Sequence, residues 1–261
     1  MRTTAIMNQK GGTGKTVTSI NLAAILARDY ANRILLVDAD SQANLTEFVT
    51  ESLPDGKTFG GYADLLRGRA GRPAETKLQN VRILHADETL MAMDVTAAGN
   101  GVADPMALAE FLAGKEEQYE HVIIDCPPAF SAGAMAALIA ADDVVIPLKL
   151  DAFGMRGMAN LLEQIRNMRR INPGLEVAGI LPTMTYRTEQ QHSSLEQLRR
   201  TLAGVGLRCF HPIRRTGKVD DMTFVEEPLI YSSPKSGATR DYKQFTHELL
   251  EAEGLLEGGD L

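Results

Sequence analysis

A glycine-rich turn between a short apolar strand and an amphipathic helix constrains the fold more than any other segment of this chain. The turn spans residues 10–16 (KGGTGKT), the predicted strand spans residues 4–7, and the following helix has apolar residues spaced for one buried face. Backbone N–H groups in such a turn point inward, and the helix dipole adds partial positive charge. Because Gly11, Gly12 and Gly14 lack a Cβ, the backbone can wrap closely around an anion. The sequence therefore predicts a phosphate-binding loop.

The loop departs from the usual nucleotide-binding pattern G-x-x-x-x-G-K-[ST]. Position 9, where the pattern begins with glycine, is Gln, and a second lysine, Lys10, stands inside the loop. We expect Lys15 to reach the β- and γ-phosphates and the hydroxyl of Thr16 to bind Mg²⁺. The alternative is a glycine-rich turn that carries two lysines by chance.

Two further predicted strands end in aspartates. The apolar strand 34–37 is followed by Asp38 and Asp40, and the strand that begins at residue 121 ends at Asp125. Continuous apolar runs are typical of parallel strands buried on both faces. Because ligands of open α/β sheets lie at the carboxyl ends of strands, we expect these acids and the phosphate loop to converge on one Mg-nucleotide, where Asp125 would hold a metal-bound water. The alternative for Asp38 and Asp40 is a solvated turn.

Composition limits the remaining possibilities. The chain has 261 residues, 44% of them hydrophobic and 23% charged, and no apolar run approaches the roughly 18 residues of a membrane span. The net charge of −7 argues against nucleic-acid binding by charge alone, so any DNA contact requires a local basic patch. Cys126 and Cys209 form no CxxC pair and are expected to be thiols in a reducing cytoplasm. The chain enters its first strand directly, so we expect no signal peptide.

At least six predicted strands alternate with helices along the chain. This order predicts an α/β fold in which a mostly parallel twisted sheet has helices on both faces. We expect a single P-loop NTPase domain over residues 1–261, with an acidic, mobile tail from about residue 251.

Three segments carry a family resemblance. The loop at 10–16, the Asp-x-Asp segment at 38–40 and the Asp-Cys-Pro-Pro segment at 125–128 resemble the deviant phosphate loop and acidic signatures of the ParA/MinD family of dimeric ATPases. The resemblance runs from about residue 3 to 250. It implies that ATP and Mg²⁺ are the cofactors, and that Thr16, Asp38 and Asp125 form the metal site. It also implies catalytic roles for three residues: Lys15 on the phosphates, Asp40 on the attacking water, and Lys10 on the nucleotide of the partner subunit in a homodimer.

The resemblance extends to the nucleotide and DNA contacts. It implies that the nucleotide is bound by Lys10, Gly11, Gly12, Thr13, Gly14, Lys15, Thr16 and Val17, with Thr183 and Pro212 at later strand ends holding the adenine. Loops at those ends carry DNA-binding arginines in the family. The matching positions here are Arg187, Arg214, Arg215 and Lys218. Ordinary surface charges are the alternative for these four.

The implied function is that of a ParA/Soj-type partition ATPase. Such a protein is a weak ATPase that a ParB-type adaptor stimulates, binds double-stranded DNA without sequence preference, avoids the membrane, and works in the cytoplasm on the nucleoid. A MinD-like positioning ATPase is a weaker alternative, because that branch ends in a basic amphipathic helix and this tail is acidic. A metabolic ATP-dependent enzyme of the same fold, similar to dethiobiotin synthetase, is the runner-up. The cargo can be a plasmid, a chromosome, an integrative element or a protein cluster.

Overall fold

A seven-stranded sheet runs through the part of the chain that the computed structural model describes, which is residues 1–51, 60–96 and 103–256. Its strand order is β3-β4-β2-β5-β1-β6-β7, and every neighbouring pair is parallel except β3 with β4. The strands are β1 (Arg2–Ile6), β2 (Ile34–Asp38), β3 (Ala74–Glu75), β4 (Val81–Leu84), β5 (His121–Asp125), β6 (Asp143–Lys149) and β7 (Glu176–Thr183). The predicted α/β fold with a mostly parallel sheet is confirmed.

Helices cover both faces of this sheet, as predicted. They are α1 (Lys15–Asp29), α2 (Asn44–Val49), α3 (Tyr62–Leu66), α4 (Thr89–Thr96), α5 (Ala107–Leu112), α6 (Ala132–Ala140), α7 (Ala152–Met168), α8 (Glu189–Ala203), α9 (Gly217–Val225), α10 (Leu229–Ser232) and α11 (Gly237–Ala252). One apolar layer packs α3 to α8 against the sheet, and the other packs α1, α2 and α9 to α11. The strands are buried on both sides because their two faces meet these two layers.

The strand register determines where the site lies. Ile6 at the end of β1 pairs with Asp125 of β5, and Asp38 at the end of β2 pairs with the same Asp125. The three central strands therefore finish side by side at one edge. The turn that follows β1 lies at that edge too, directly next to the two aspartates.

Three other expectations concern the surface and the tail. Among the described residues, no helix has both the length and the apolar composition needed to cross a membrane. Cys126 is buried, Cys209 is half-buried, and both are free thiols. Helix α11 extends to Ala252, so the predicted tail begins within its last turn; residues 257–261 of that tail lie outside the described residues.

Candidate nucleotide-binding site

Two glycines shape the turn between β1 and α1. Gly12 and Gly14 have φ angles of 69° and 86°, in the left-handed region that a side chain disfavours. Helix α1 begins directly afterwards, and the Gly14 carbonyl accepts its first hydrogen bond from the Thr18 N–H at 2.9 Å. The turn is fixed to the sheet from the other side, because the Thr183 hydroxyl donates to the Thr13 carbonyl at 2.8 Å. The predicted loop thus presents the N-terminus of a 15-residue helix at the sheet edge.

Lys15 lies almost entirely inside this loop. It is 8% exposed, and its Nζ lies 3.5 Å from the Lys10 carbonyl. Burial lowers the pKa of Lys15, while the charges of Asp125 and Asp40 act in the opposite direction. A partly desolvated ammonium at a helix N-terminus is a strong attractor for an anionic ligand.

Asp125 receives hydrogen bonds from two hydroxyls of α1. The Thr16 hydroxyl donates to Oδ2 at 2.7 Å and the Ser19 hydroxyl to Oδ1 at 3.0 Å. Burial raises the pKa of Asp125 to about 6, against the opposing effect of these two hydrogen bonds. The structure therefore brings the predicted metal-site residues Thr16 and Asp125 into direct contact.

Asp38 organises the loop after β2. The backbone N–H and the hydroxyl of Thr46 donate to Asp38 Oδ2 at 2.9 and 2.7 Å, and the Asp40 N–H donates to Oδ1 at 3.1 Å. Burial, and then the charge of Asp125, raise the pKa of Asp38 to about 7. Asp40 is half-buried and accepts from the Gln42 N–H at 3.0 Å. The loop that carries Asp40 is therefore folded around Asp38.

Lys10 is paired within its own subunit. Its Nζ lies 2.8 and 2.7 Å from the two carboxylate oxygens of Asp151, a residue that also caps α7 by accepting from the Gly154 N–H at 2.7 Å. The Lys10 N–H donates to Asn8 Oδ1 at 3.0 Å, and the Asn8 amide donates to the Pro147 carbonyl at 2.6 Å. The hydrogen bond from Lys10 holds the pKa of Asp151 below its usual range.

Four polar residues without a predicted role thus complete the site: Asn8, Ser19, Thr46 and Asp151. Ser19 was detectable in the sequence, because it lies three residues after Thr16 and so on the same helix face. The other three became visible only when separate elements were brought together.

A cavity of about 140 Å³ opens beside the head of α1. Its walls come from four parts of the chain and include Gly14, Val17, Thr183, Met184, Ile213, Thr216, Asp220 and Tyr242. Three of the predicted nucleotide contacts, Gly14, Val17 and Thr183, line it. Pro212 lines a separate neighbouring cavity of about 500 Å³, together with Arg187 and Leu150.

The four predicted DNA-binding residues differ in their surroundings. Arg187 is exposed just before α8. Arg215 pairs with Asp220 at 3.1 Å and Lys218 with Asp221 at 3.0 Å, both at the surface. Arg214 is directed inward, where it pairs with the buried Asp241 at 2.7 Å.

Comparisons with known proteins show the family and the fold to which this chain is similar. A family model described as an AAA domain matches residues 1–177. The chromosome-partitioning ATPase Soj of Thermus thermophilus is 33% identical over 253 residues, which cover 96% of each chain. A Mycobacterium smegmatis protein solved as cobyrinic acid a,c-diamide synthase, with a bound ATP analogue and magnesium, has a TM-score of 0.79 at 30% identity and covers 96% of this chain and 94% of its own. Apo McdA from Cyanothece has a TM-score of 0.82 over 97% of this chain and 100% of its own, and at 21% identity it bears on the fold alone.

Proposed function

The chain belongs to the ParA/MinD family of P-loop ATPases, and from this premise we propose that it is a ParA-type partition ATPase. In this proposal it binds ATP and Mg²⁺, forms a sandwich dimer around two nucleotides, and hydrolyses ATP slowly. The dimer binds double-stranded DNA without sequence preference on the nucleoid, in the cytoplasm. A ParB-type adaptor stimulates ATP hydrolysis and the release of the dimer from DNA. Repeated binding and release move a plasmid, a chromosome or another cargo.

The contact between Thr16 and Asp125, next to the buried Lys15, is the observation that carries the proposal. A hydroxyl and two carboxyls supply the hard oxygen donors that Mg²⁺ prefers. The raised pKa values of Asp38 and Asp125 mean that a cation here would stabilise their charged forms. Thr16, Asp38 and Asp125 therefore fit the metal and would hold it. Bound Mg²⁺ would neutralise charge on the phosphates during phosphoryl transfer.

The remaining groups divide the work of binding and hydrolysis. The backbone of the glycine turn and Lys15 hold the phosphates. We assign the adenine base of ATP to the cavity lined by Val17 and Thr183. This cavity begins at Gly14 and so continues directly from the phosphate loop. Asp40, on the loop organised by Asp38, orients the attacking water.

Dimer formation and DNA binding are linked through Lys10 and the surface cations. We assign Lys10 to the nucleotide of the partner subunit, which requires exchange of its contact with Asp151 for a triphosphate. DNA binding uses Arg187, Arg215 and Lys218. Since each chain carries a net charge of −7, the basic patches of two subunits together are needed to hold a phosphate backbone.

A metabolic ATP-dependent enzyme is the second candidate. Its support is the 30% identity to the Mycobacterium smegmatis protein solved as cobyrinic acid a,c-diamide synthase. A metabolic enzyme of this fold would need a pocket for a small-molecule substrate and would have no need of DNA.

One experiment separates the two candidates. Fluorescence anisotropy with a random-sequence DNA duplex is measured with ATP, with ADP and without nucleotide, using Lys15→Ala as the variant unable to bind nucleotide. A partition ATPase binds DNA only with ATP, and Lys15→Ala does not bind. Absence of DNA binding under all conditions, in protein that hydrolyses ATP, would favour the metabolic enzyme.

A further inference from the structure

Arg214 and Asp241 form a forked ion pair beside the cavity at the head of α1. Arg214 Nε and Nη2 each donate to one carboxylate oxygen of Asp241 at 2.7 Å, and the Arg214 backbone N–H donates to the same carboxylate at 3.0 Å. Asp241 is only 3% exposed. Burial by itself would raise its pKa, but the hydrogen bonds from Arg214 and His211 outweigh burial and hold the pKa well below its usual range. The pair is therefore a charge-assisted contact between a buried carboxylate and a half-buried guanidinium.

This ion pair joins two walls of the cavity. On one side, Arg214 lines the cavity together with Ile213, whose carbonyl accepts from the Thr185 N–H at 3.0 Å. On the other side, Asp241 precedes Tyr242, which also lines the cavity and whose hydroxyl lies 3.4 Å from Thr18 Oγ1. The fork therefore fixes the separation between the segment of Ile213 and helix α11.

Gly237 provides the space that the guanidinium occupies. A Cβ on this first residue of α11 would lie 2.4 Å from Arg214 Nη1 and 2.6 Å from Arg214 Cζ. The guanidinium cannot move aside without breaking its bonds to Asp241. Gly237 is not required by the backbone, because it lies within a helix, where alanine is the better residue. Packing against Arg214 is therefore the reason for glycine here.

From this arrangement we propose that Arg214 is a positioning residue. It sets the width of the cavity that holds the adenine base of the nucleotide. The inference rests on the proposed function, because that proposal places the base of ATP in this cavity. The role belongs to a guanidinium, since a lysine cannot donate two parallel hydrogen bonds to Asp241. Arg214 lines this cavity as well, and it sets the cavity width by holding the segment of Ile213 against the helix that carries Tyr242.

Equilibrium dialysis with Mg²⁺ tests the inference by comparing ATP with inorganic triphosphate, which has the phosphates but no base. We expect Arg214→Lys and Gly237→Ala to weaken ATP binding about tenfold, with less than about a twofold change for triphosphate. Arg240→Gln, an exposed change on the same helix, is the matched control and alters neither affinity. Gly237→Ala retains the charges of both Arg214 and Asp241, so it still tests the inference if Arg214→Lys does not fold. Equal losses for the two ligands, or no loss, would overturn the inference.

A double variant gives a second readout. In Arg214→Gln the shorter side chain leaves room for a Cβ at Gly237, so adding Gly237→Ala should cause no further loss of ATP affinity. Additive losses would contradict the packing relationship. The wild-type protein distinguishes failure of the proposed function from failure of the role given to Arg214. If the wild type binds ATP no more tightly than triphosphate, the proposed function fails at this cavity. If it prefers ATP and every variant keeps that preference, only the role of Arg214 fails.

Discussion

Thr16 donates its hydroxyl to Asp125 Oδ2 at 2.7 Å, and this contact joins the first turn of α1 to the end of β5. The register that pairs Ile6 with Asp125 makes the contact possible, because β1 and β5 end together and the phosphate loop follows β1 directly. Ser19 adds a second hydroxyl to the same carboxyl at 3.0 Å. A phosphate loop and an acid on the neighbouring strand thus form one unit, and the first predictions concern the ligand that this unit holds.

Lys15→Ala is expected to abolish nucleotide binding. Lys15 is the buried cation of the loop, and the β- and γ-phosphates lose their main counter-charge without it. Equilibrium dialysis with ATP and Mg²⁺ measures the affinity, with Arg240→Gln as the exposed control. Affinity close to that of the wild type would remove Lys15 from the site.

Asp40→Ala is expected to bind ATP but to hydrolyse it at least about a hundredfold more slowly, because the attacking water loses the carboxylate that positions or activates it. Asp38 stays bound to Thr46, so the loop keeps its main anchor. The variant should therefore accumulate as an ATP-bound dimer in size-exclusion chromatography, while wild type returns to monomer as ATP is consumed. Normal turnover, or a variant that stays monomeric with ATP, contradicts the role given to Asp40.

DNA binding is expected to weaken steeply as the salt concentration rises. The logarithm of the affinity falls linearly with the logarithm of the salt concentration, and each phosphate contact adds about 1 to the steepness of that line. If Arg187 and Lys218 bind DNA phosphates, replacing either by alanine makes the line less steep by about 1 for each phosphate contact that is lost. Both side chains are exposed, so folding should be unaffected. Arg200→Ala, near the other end of α8, serves as the control. An unchanged slope would mean that Arg187 and Lys218 are ordinary surface charges.

Much of the fold could be predicted, because buried parallel strands are continuous apolar runs. Strands such as β2 and β5 have this pattern, and their terminal acids indicate the edge where the site lies. Strand β3 was missed since two residues, Ala74 and Glu75, carry no periodicity, and they pair antiparallel at the sheet edge. Helix α9 was missed because it begins at Gly217, within a stretch interpreted as a loop.

The site was predictable only where one segment contains the pattern. The glycine turn, Asp38 and Asp125 stand in short motifs with a clear position relative to a strand. Asp151 had no such signal, because it lies 141 positions from Lys10 in the chain. Likewise, the sequence presents Arg214 as one of several clustered cations, whereas its inward direction depends on the burial of Asp241 in α11. Pairings between elements require the tertiary structure.

Glu253→Gln is expected to stabilise the protein at alkaline pH. Burial, and then the charge of Asp143, raise the pKa of Glu253 to about 7, and its Oε2 has no hydrogen-bond partner in the described part of the chain. The folded state keeps a proton that the unfolded chain releases above roughly pH 4.3, so the stability this group provides is present at acid pH and is lost as the pH rises through 7. At pH 8 the variant should gain on the order of 1 kcal/mol in the free energy of unfolding.

Urea unfolding followed by circular dichroism at pH 5, 6.5 and 8 measures this effect. Glu163→Gln, an exposed change on α7, is the control and should leave the pH dependence as it is in wild type. A Glu253→Gln curve parallel to that of the wild type would show that the carboxyl is already charged at neutral pH.

Lys10→Ala is expected to separate nucleotide binding from dimer formation. Lys15 serves the phosphates of its own subunit, and a second lysine in the same loop places like charges close together. Asp151 balances the charge of Lys10 in the single chain, at 2.7 Å. In a two-fold dimer a partner's triphosphate can take that place, through a charge-assisted contact. The variant should bind ATP in equilibrium dialysis within about threefold of wild type, yet lose about tenfold or more in ATP-dependent dimerisation by analytical ultracentrifugation.

Asp151→Asn provides the decisive companion to this variant. Asparagine still offers an oxygen to the Gly154 N–H, so the cap of α7 is kept while the charge that holds Lys10 within its own subunit is removed. If Lys10 acts on the partner's nucleotide, Asp151→Asn dimerises at least as well as the wild type with ATP, because Lys10 no longer has to leave a carboxylate. If instead Asp151→Asn and Lys10→Ala lose dimerisation equally, the dimer needs the Lys10–Asp151 pair itself, and the role of Lys10 in the partner's site is contradicted.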